Sequence, residues 1–287
     1  METNEVKTEA GFDKEAWLEQ KQADRKEAFD LIDVTADSIG SDPELFQSCL
    51  DVMARFDRYS VGNVLLLTAQ NPNAARLADF GTWKNEGVSI KKGAKSILIL
   101  EPGKDYTKAD GKVGVRYNAK RVFDISQTDA TPAPQARQYD MRQLLTALIH
   151  TGSCQAEIRD ELPDDKSAIY DSDKKRILLL RGLAGNETLF KEYARELVVA
   201  YQDADGNALR KESAFVAMCS TYVLCRRYGL DTSDFSFRSV PDQCGEMDAT
   251  AMRRELGKVR AYAARIYGDI AQHMEKSQKL SQSQEAR

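Results

Sequence analysis

Apolar positions along the chain repeat with two different periods. DKEAWLEQKQADRKEAFDLIDVTADSIG (13–40) is highly charged yet helical in period, and Gly40 ends it. SDPELFQ opens a second helix, with Ser41 or Asp42 as cap and Pro43 in the first turn, running to about Tyr59. A third helix begins in SVGNVLLLTAQNP and stops at Asn71 and Pro72. The pattern then shortens to strands. KSILILEPG (95–103) is an apolar strand closed by Pro-Gly, KRVFDISQT (120–128) is a second, and Asp110-Gly111 between them is a turn signal.

DATPAPQARQ (129–138) is the only Pro/Ala/Gln-rich stretch between periodic segments, and we read it as a linker. It separates a domain over 13–128 from a mostly helical one over 139–275, with a flexible N-terminus (1–12) and a frayed polar tail (276–287) outside both. The second half opens with the helix MRQLLTALIH and a hairpin, SAIYDSDKKRILLL, turning at DSDKK. NETLFKEYARELVVAYQ follows, capped by Asn186, then ESAFVAMCSTYVLCRRYG, stopped by Gly229. The last long helix, from Asp248 to about Ser277, carries an apolar stripe at Met252, Leu256, Val259, Ala263, Ile266 and Ile270. The fold class expected is α+β: N-terminal helices with a small antiparallel sheet, then a mostly helical unit with a β-hairpin.

Composition narrows the classes. Of 287 residues, 42% are hydrophobic, enough for real cores, and no apolar run reaches the roughly 18 residues of a membrane span. Five scattered cysteines without a CxxC form no disulfide framework, and the N-terminus lacks an apolar signal core; both predict a reduced, cytoplasmic protein. The net charge of -4 excludes a chain that is basic throughout, so nucleic-acid binding would need a local patch.

Residues 81–121 form such a patch, with ten Lys and Arg against four Asp and Glu. Trp83, Tyr106, Tyr117 and Phe123 are interleaved with the cations. Cations neutralise phosphates and exposed aromatics stack on unpaired bases, so the pairing suits single strands. A solvated hairpin face would give the same charge pattern, and Trp83 fits a core position as well as a stacking platform.

The order of GNVLLLTAQNP, GTWKNEGVSIKKGAKSILIL and RVFDISQT resembles the N-terminal domain of ArdC-type antirestriction proteins. The matching stretches are Asn63 to Gln70, Thr82 and Trp83, Gly87 to Lys95 with its K-K-G-x-K core, and Val122 to Gln127, with VFDISQT the most specific. The resemblance implies a single-stranded-DNA-binding domain ahead of a zincin-like, zinc-metallopeptidase-type domain, and a place in plasmid or conjugative-element biology. On that basis the phosphate contacts expected are Lys84, Lys91, Lys92, Lys95, Arg116, Lys120 and Arg121. Gly93 is expected to turn the backbone between flanking lysines, and Arg58, Asn63 and Trp83 are further candidates, although Asn63 also suits a cap.

In that family the second half carries an H-E-x-x-H helix. Here the five positions are Lys191, Glu192, Tyr193, Ala194 and Arg195, and Met218 falls where the third ligand would lie. A guanidinium has no lone pair, an ammonium must first lose its proton, and a thioether is a poor zinc ligand. The two histidines, His150 and His273, lack partners at metal-ligand spacing. The same helix also reads as an ordinary amphipathic one, with Glu187–Lys191 and Glu192–Arg195 as side-chain pairs. No catalytic residue, metal or cofactor is therefore expected. Lys191 and Arg195 together could hold a phosphate or a partner's carboxylate. Three functions compete: a single-stranded-DNA-binding accessory protein of a mobile element, a pseudoenzyme that binds only proteins such as a restriction enzyme, and a hydrolase with an unrecognised site.

Overall fold

The computed structural model describes residues 13–107, 111, 113–131, 139–152, 154–163, 166–182, 185–206 and 210–285. The expected flexible N-terminus and most of the expected linker lie outside the described residues.

Helix α1 (Lys14–Ile39) starts where the Asp13 carboxylate accepts the N–H groups of Glu15 and Ala16. Asp42, not Ser41, caps α2 (Pro43–Arg55), accepting from Glu44 and Leu45 at 3.0 Å each. That helix stops at Arg55, short of Tyr59. Phe56 leaves the helical region, and the Arg55 guanidinium turns to the carbonyls of Pro72 and Ala74. Ser60 caps α3 (Val61–Gln70).

The first sheet has the order β1-β3-β2 and is antiparallel, with β1 (Leu77–Ala78), β2 (Ile97–Thr107) and β3 (Val113–Asp124). β2 runs on past Pro102-Gly103, where the sequence suggested an end. The register shifts between Pro102 and Asp105 and pairing resumes through Thr107↔Val113, so a bulge accommodates the proline. A short helix, α4 (Phe80–Asn85), precedes β2; six residues give too little periodicity to be read from sequence.

Helix α3 closes the outer edge of β2 with two amide side chains. Asn63 Nδ2 donates to the Leu100 carbonyl and its Oδ1 accepts the Leu100 N–H, both at 2.8 Å. Gln70 treats Leu98 the same way, at 2.9 and 2.8 Å. Alternate residues of an edge strand present their backbone groups on one side, so two amides stand in for a missing strand. Asn63→Ala leaves a buried N–H and C=O without partners, and we expect it to cost about 2 kcal/mol in urea denaturation.

In the second half, α5 (Met141–Thr151) leads to β4 (Gln155–Arg159), β5 (Ala168–Asp171) and β6 (Arg176–Leu180). The β5–β6 hairpin matches the expectation, and Lys175 in its turn takes φ +52°. The parallel partner β4 was not foreseen, because QAEIR is too polar and exposed to signal a strand. Helices α6 (Asn186–Ala204), α7 (Arg210–Tyr228), α8 (Val240–Cys244) and α9 (Ala249–Glu285) complete the chain. Asn186 is the first helical residue of α6 and not its cap; Gly185 holds that position without a side-chain bond. The polar stretch beyond Ser277 continues α9 as helix, with Lys279 and Glu275 paired at 2.6 Å.

The two halves share one apolar core. α2 packs on α7, and α9 packs on α1, α3, α5 and α7, burying all six residues of its expected stripe. Two arginines lock the junction. Arg260 donates to the Tyr59 and Asp57 carbonyls, while Arg227 pairs with Asp57 at 3.0 Å and lies 3.5 Å from the centre of the Tyr267 ring.

Candidate nucleic-acid interface

Two of the stretches that carry the sequence resemblance, Gly87 to Lys95 and Val122 to Gln127, fold into one unit. Gln127 spans the K-K-G-x-K loop: its backbone carbonyl accepts the Lys91 N–H at 2.9 Å, and its Nε2 donates to the Lys95 carbonyl at 2.7 Å. Lys91 Nζ also reaches the Ser126 carbonyl at 2.9 Å. Between these ties, Gly93 turns the chain at φ +83°, with open space around it. The loop is short, fixed at both ends and raised into solvent.

Asp124 organises this unit from beneath. It is fully buried, and its carboxylate accepts the N–H groups of Ala75, Arg76 and Ser126 and the Ser126 hydroxyl at 2.5–2.9 Å. Burial pushes its pKa up, but these hydrogen bonds outweigh that and hold it below the usual carboxylate value. Arg76, placed by Asp124, lies 4.7 Å from the Trp83 ring centre and forks onto Glu86 at 2.6 and 2.7 Å.

The expected contact residues now divide. Arg58, Lys84, Lys91, Lys92, Lys95 and Arg116 are exposed, and among the described residues Lys84, Lys92 and Lys95 enter no ion pair. Arg116 sits 5.6 Å from the Tyr106 ring centre on the β2–β3 hairpin. Lys120 and Arg121 are not available in the same way. Lys120 is held by Asp79 at 2.9 Å and Glu101 at 2.8 Å, and the Lys120 bond draws the Asp79 carboxyl down to about 2. Arg121, on the opposite face of β3, is paired with Asp24 of α1 at 2.7 Å. Two candidates belong to the interior. Asn63 is committed to β2, and Trp83 is 0% exposed with its indole N–H donating to the Phe123 carbonyl at 3.0 Å, so it cannot stack on a base. The exposed aromatics include Phe80, at the start of α4 and 62% exposed. Tyr106 is 40% and Trp17, with Lys21 Nζ 5.9 Å from its ring, 47% exposed. Trp17 lay outside the basic stretch and gave no signal in the sequence.

On α6, Lys191 and Glu192 are bonded to other partners, Tyr193 and Ala194 lie in the core, and Arg195 faces solvent. Lys191 Nζ pairs with Asp234 at 2.9 Å, not with Glu187, whose carboxylate accepts the Asp231 N–H at 2.6 Å. Glu192 accepts the backbone N–H groups of Ser167 and Ala168, not a bond from Arg195. One turn on, Glu196 accepts the Tyr170 N–H at 2.8 Å. These two glutamates seal the edge of β5 much as Asn63 and Gln70 seal β2.

Residues 42–142 match the family model described as the N-terminal domain of anti-restriction factor ArdC. This segment is an ArdC-type N-terminal domain. Over 271 aligned residues the chain is 23% identical to an uncharacterized protein of Bacillus anthracis, covering 76% of this chain and 46% of that protein, so it spans about half of that relative's length. The metal-free crystal structure of the antirestriction ArdC protein from plasmid R388 matches with a TM-score of 0.50 at 18% identity, over 75% of this chain and 86% of that one. The Mn(II)-bound structure of the same protein gives 0.49 at 15% identity, over 74% and 85%. The likeness to the metal-free form shows a shared α+β fold.

The zinc that the ArdC resemblance implies for the second half does not fit the residues present on α6. An ammonium neutralised by Asp234, a carboxylate spent on two backbone N–H groups and a guanidinium offer no ligand set, and Met218 adds only a thioether. The cysteines offer no nucleophile. All five are buried, and burial pushes Cys49 and Cys225 up to about 12 and Cys244 to about 11. No described helix is long and apolar enough to cross a membrane.

Proposed function

We propose that this chain is a non-catalytic single-stranded-DNA-binding accessory protein of a plasmid or conjugative element, with a role related to antirestriction. The observation that carries the reading is the K-K-G-x-K loop of the ArdC-type domain. It projects Lys91, Lys92 and Lys95 into solvent while Gln127 fixes it at both ends. A rigid loop of cations presents charge to phosphates without first having to be ordered. Lys84, Arg58 and Arg116 extend the cationic surface, and Tyr106 and Trp17 supply exposed rings for stacking. The plasmid origin of the solved ArdC protein supports the setting. The non-catalytic reading of the second half rests on Lys191 and Glu192, whose side chains serve a salt bridge and a strand edge.

Fluorescence anisotropy with labelled single-stranded and duplex DNA, at low and moderate salt, tests this. We expect preferential single-strand binding that weakens steeply with salt. The triple variant Lys91→Glu, Lys92→Glu, Lys95→Glu should lose at least about tenfold in affinity while remaining folded, and Lys92→Glu with Lys95→Glu alone should weaken binding at unchanged Tm. Absence of binding at low salt would refute the DNA reading and favour a pseudoenzyme that meets protein partners, such as a restriction-system component. Peptidase activity lost on Glu192→Gln, or tightly bound zinc at α6, would refute the non-catalytic one.

A further inference from the structure

The chain contains two histidines, 123 positions apart in sequence, and the fold brings them together. His150 lies in the last turn of α5 and His273 on α9, with ring centres 5.9 Å apart and planes inclined by 32°. The two helices pack against each other, and Leu144 and Leu148 on α5 and Ile266 and Ile270 on α9 are buried. The backbones carrying the two rings are therefore held by the core.

The tautomer of one neutral ring follows from its neighbour. His150 Nδ1 lies 2.8 Å from the Thr146 carbonyl, which can only accept, so Nδ1 carries the hydrogen and the Nε2 lone pair of the neutral ring is left for another partner. Protein metal sites orient their imidazoles by this arrangement, with the distal nitrogen bonded to a backbone carbonyl. Neither ring is fully buried, so an ion has access. The C-terminal end of α5 adds the negative end of a helix dipole beside His150, which favours a cation. Two imidazoles on one tetrahedral ion, each nitrogen about 2.0–2.1 Å from the metal, have ring centres roughly 5 Å apart. The observed 5.9 Å lies within about 1 Å of that spacing.

We infer that His150 and His273 form a two-histidine site for a divalent transition-metal ion that prefers imidazole, such as Zn²⁺ or Ni²⁺, clamping α5 to α9. Among the described residues no group of three or more ligand side chains converges, so water or an external ligand fills the remaining positions. The site is built on α5 and α9 and uses none of the α6 positions 191–195.

The test uses the full chain, stripped with chelator and dialysed against Zn²⁺, Ni²⁺ or Mg²⁺, with bound metal measured by elemental analysis and Tm by calorimetry. One equivalent of Zn²⁺ or Ni²⁺ should be retained and should raise Tm, while Mg²⁺ should do neither. His150→Asn and His273→Asn should each weaken binding at least about tenfold and abolish the metal-dependent rise, with Tm in chelator unchanged from the parent. His150→Asn keeps a donor for the Thr146 carbonyl, so loss of binding there reports the lost ligand. No retained metal in the parent chain, or retention that survives both substitutions, would overturn the site.

Discussion

Trp83→Ala should lower the stability of the protein by about 3–5 kcal/mol, measured as a shift in the urea midpoint at constant slope. The side chain is wholly enclosed, so truncation opens a cavity as large as an indole in the middle of the ArdC-type domain. It also removes the donor to the Phe123 carbonyl and the ring face over which Arg76 lies at 4.7 Å. Trp83→Phe keeps most of the volume and should cost about 2 kcal/mol, chiefly through the lost N–H bond and incomplete filling. The pair separates a core tryptophan from a stacking platform. A platform residue would lose affinity for single strands on substitution while leaving the urea midpoint in place. Here the phenylalanine variant should bind single strands as the parent does, and the Tyr106→Ala and Trp17→Ala variants should show the opposite pattern.

The contrast between Trp83 and Trp17 shows what the sequence could and could not reveal. Periodicity and caps located α1, α3, α5, α7 and the β5–β6 hairpin, because a 3.6- or 2-residue repeat is a local property and Ser, Asp and Gly mark its ends. Polar β4 and the short α4 carry no such repeat and escaped notice. The basic character of residues 81–121 was legible as a count of charges, but a count cannot show which charges are already neutralised. The acids that quench Arg121 and Lys120 come from α1, from Asp79 before α4 and from β2, and only the tertiary fold brings them near. The loss of ligand types at positions 191 and 195 was plain from residue chemistry. The use found for Glu192 was not, because a strand edge needing acceptors exists only once β5 is docked on α6. The same holds for the histidines, which lack metal-ligand spacing in sequence and meet only through the α5–α9 packing.

Asp124→Ala should be nearly as damaging as the loss of Trp83, at about 3 kcal/mol or more. It removes one small side chain, but leaves the N–H groups of Ala75, Arg76 and Ser126 without their acceptor in a place with no solvent exposure. Each such group costs about 1–3 kcal/mol when buried and unmet. Asp124→Asn retains one carbonyl acceptor and should fall between the two. The charge adds a pH dependence whose sign follows from the depressed folded-state pKa. The unfolded chain takes up a proton near its ordinary value of about 3.9, while the folded chain resists until a lower pH. The carboxylate's contribution is therefore complete above pH ~4 and declines as the pH falls through the folded value. Thermal unfolding of the parent and Asp124→Asn should accordingly show their largest Tm difference at neutral pH, narrowing below pH ~4. A difference that stayed constant from pH 7 to pH 3 would mean that Asp124 acts through shape alone and not through its charge. Because the Asp124 carboxylate holds Ser126, whose carbonyl accepts from Lys91 and whose neighbour Gln127 holds Lys95, the alanine variant should also loosen the K-K-G-x-K loop. Hydrogen exchange at the Lys91 and Ala94 amides, now bonded to Gln127 and Lys91, should quicken even at temperatures where the variant remains folded. Affinity for single strands should fall with it, since a loop that must be ordered on binding gives up part of the interaction energy to do so.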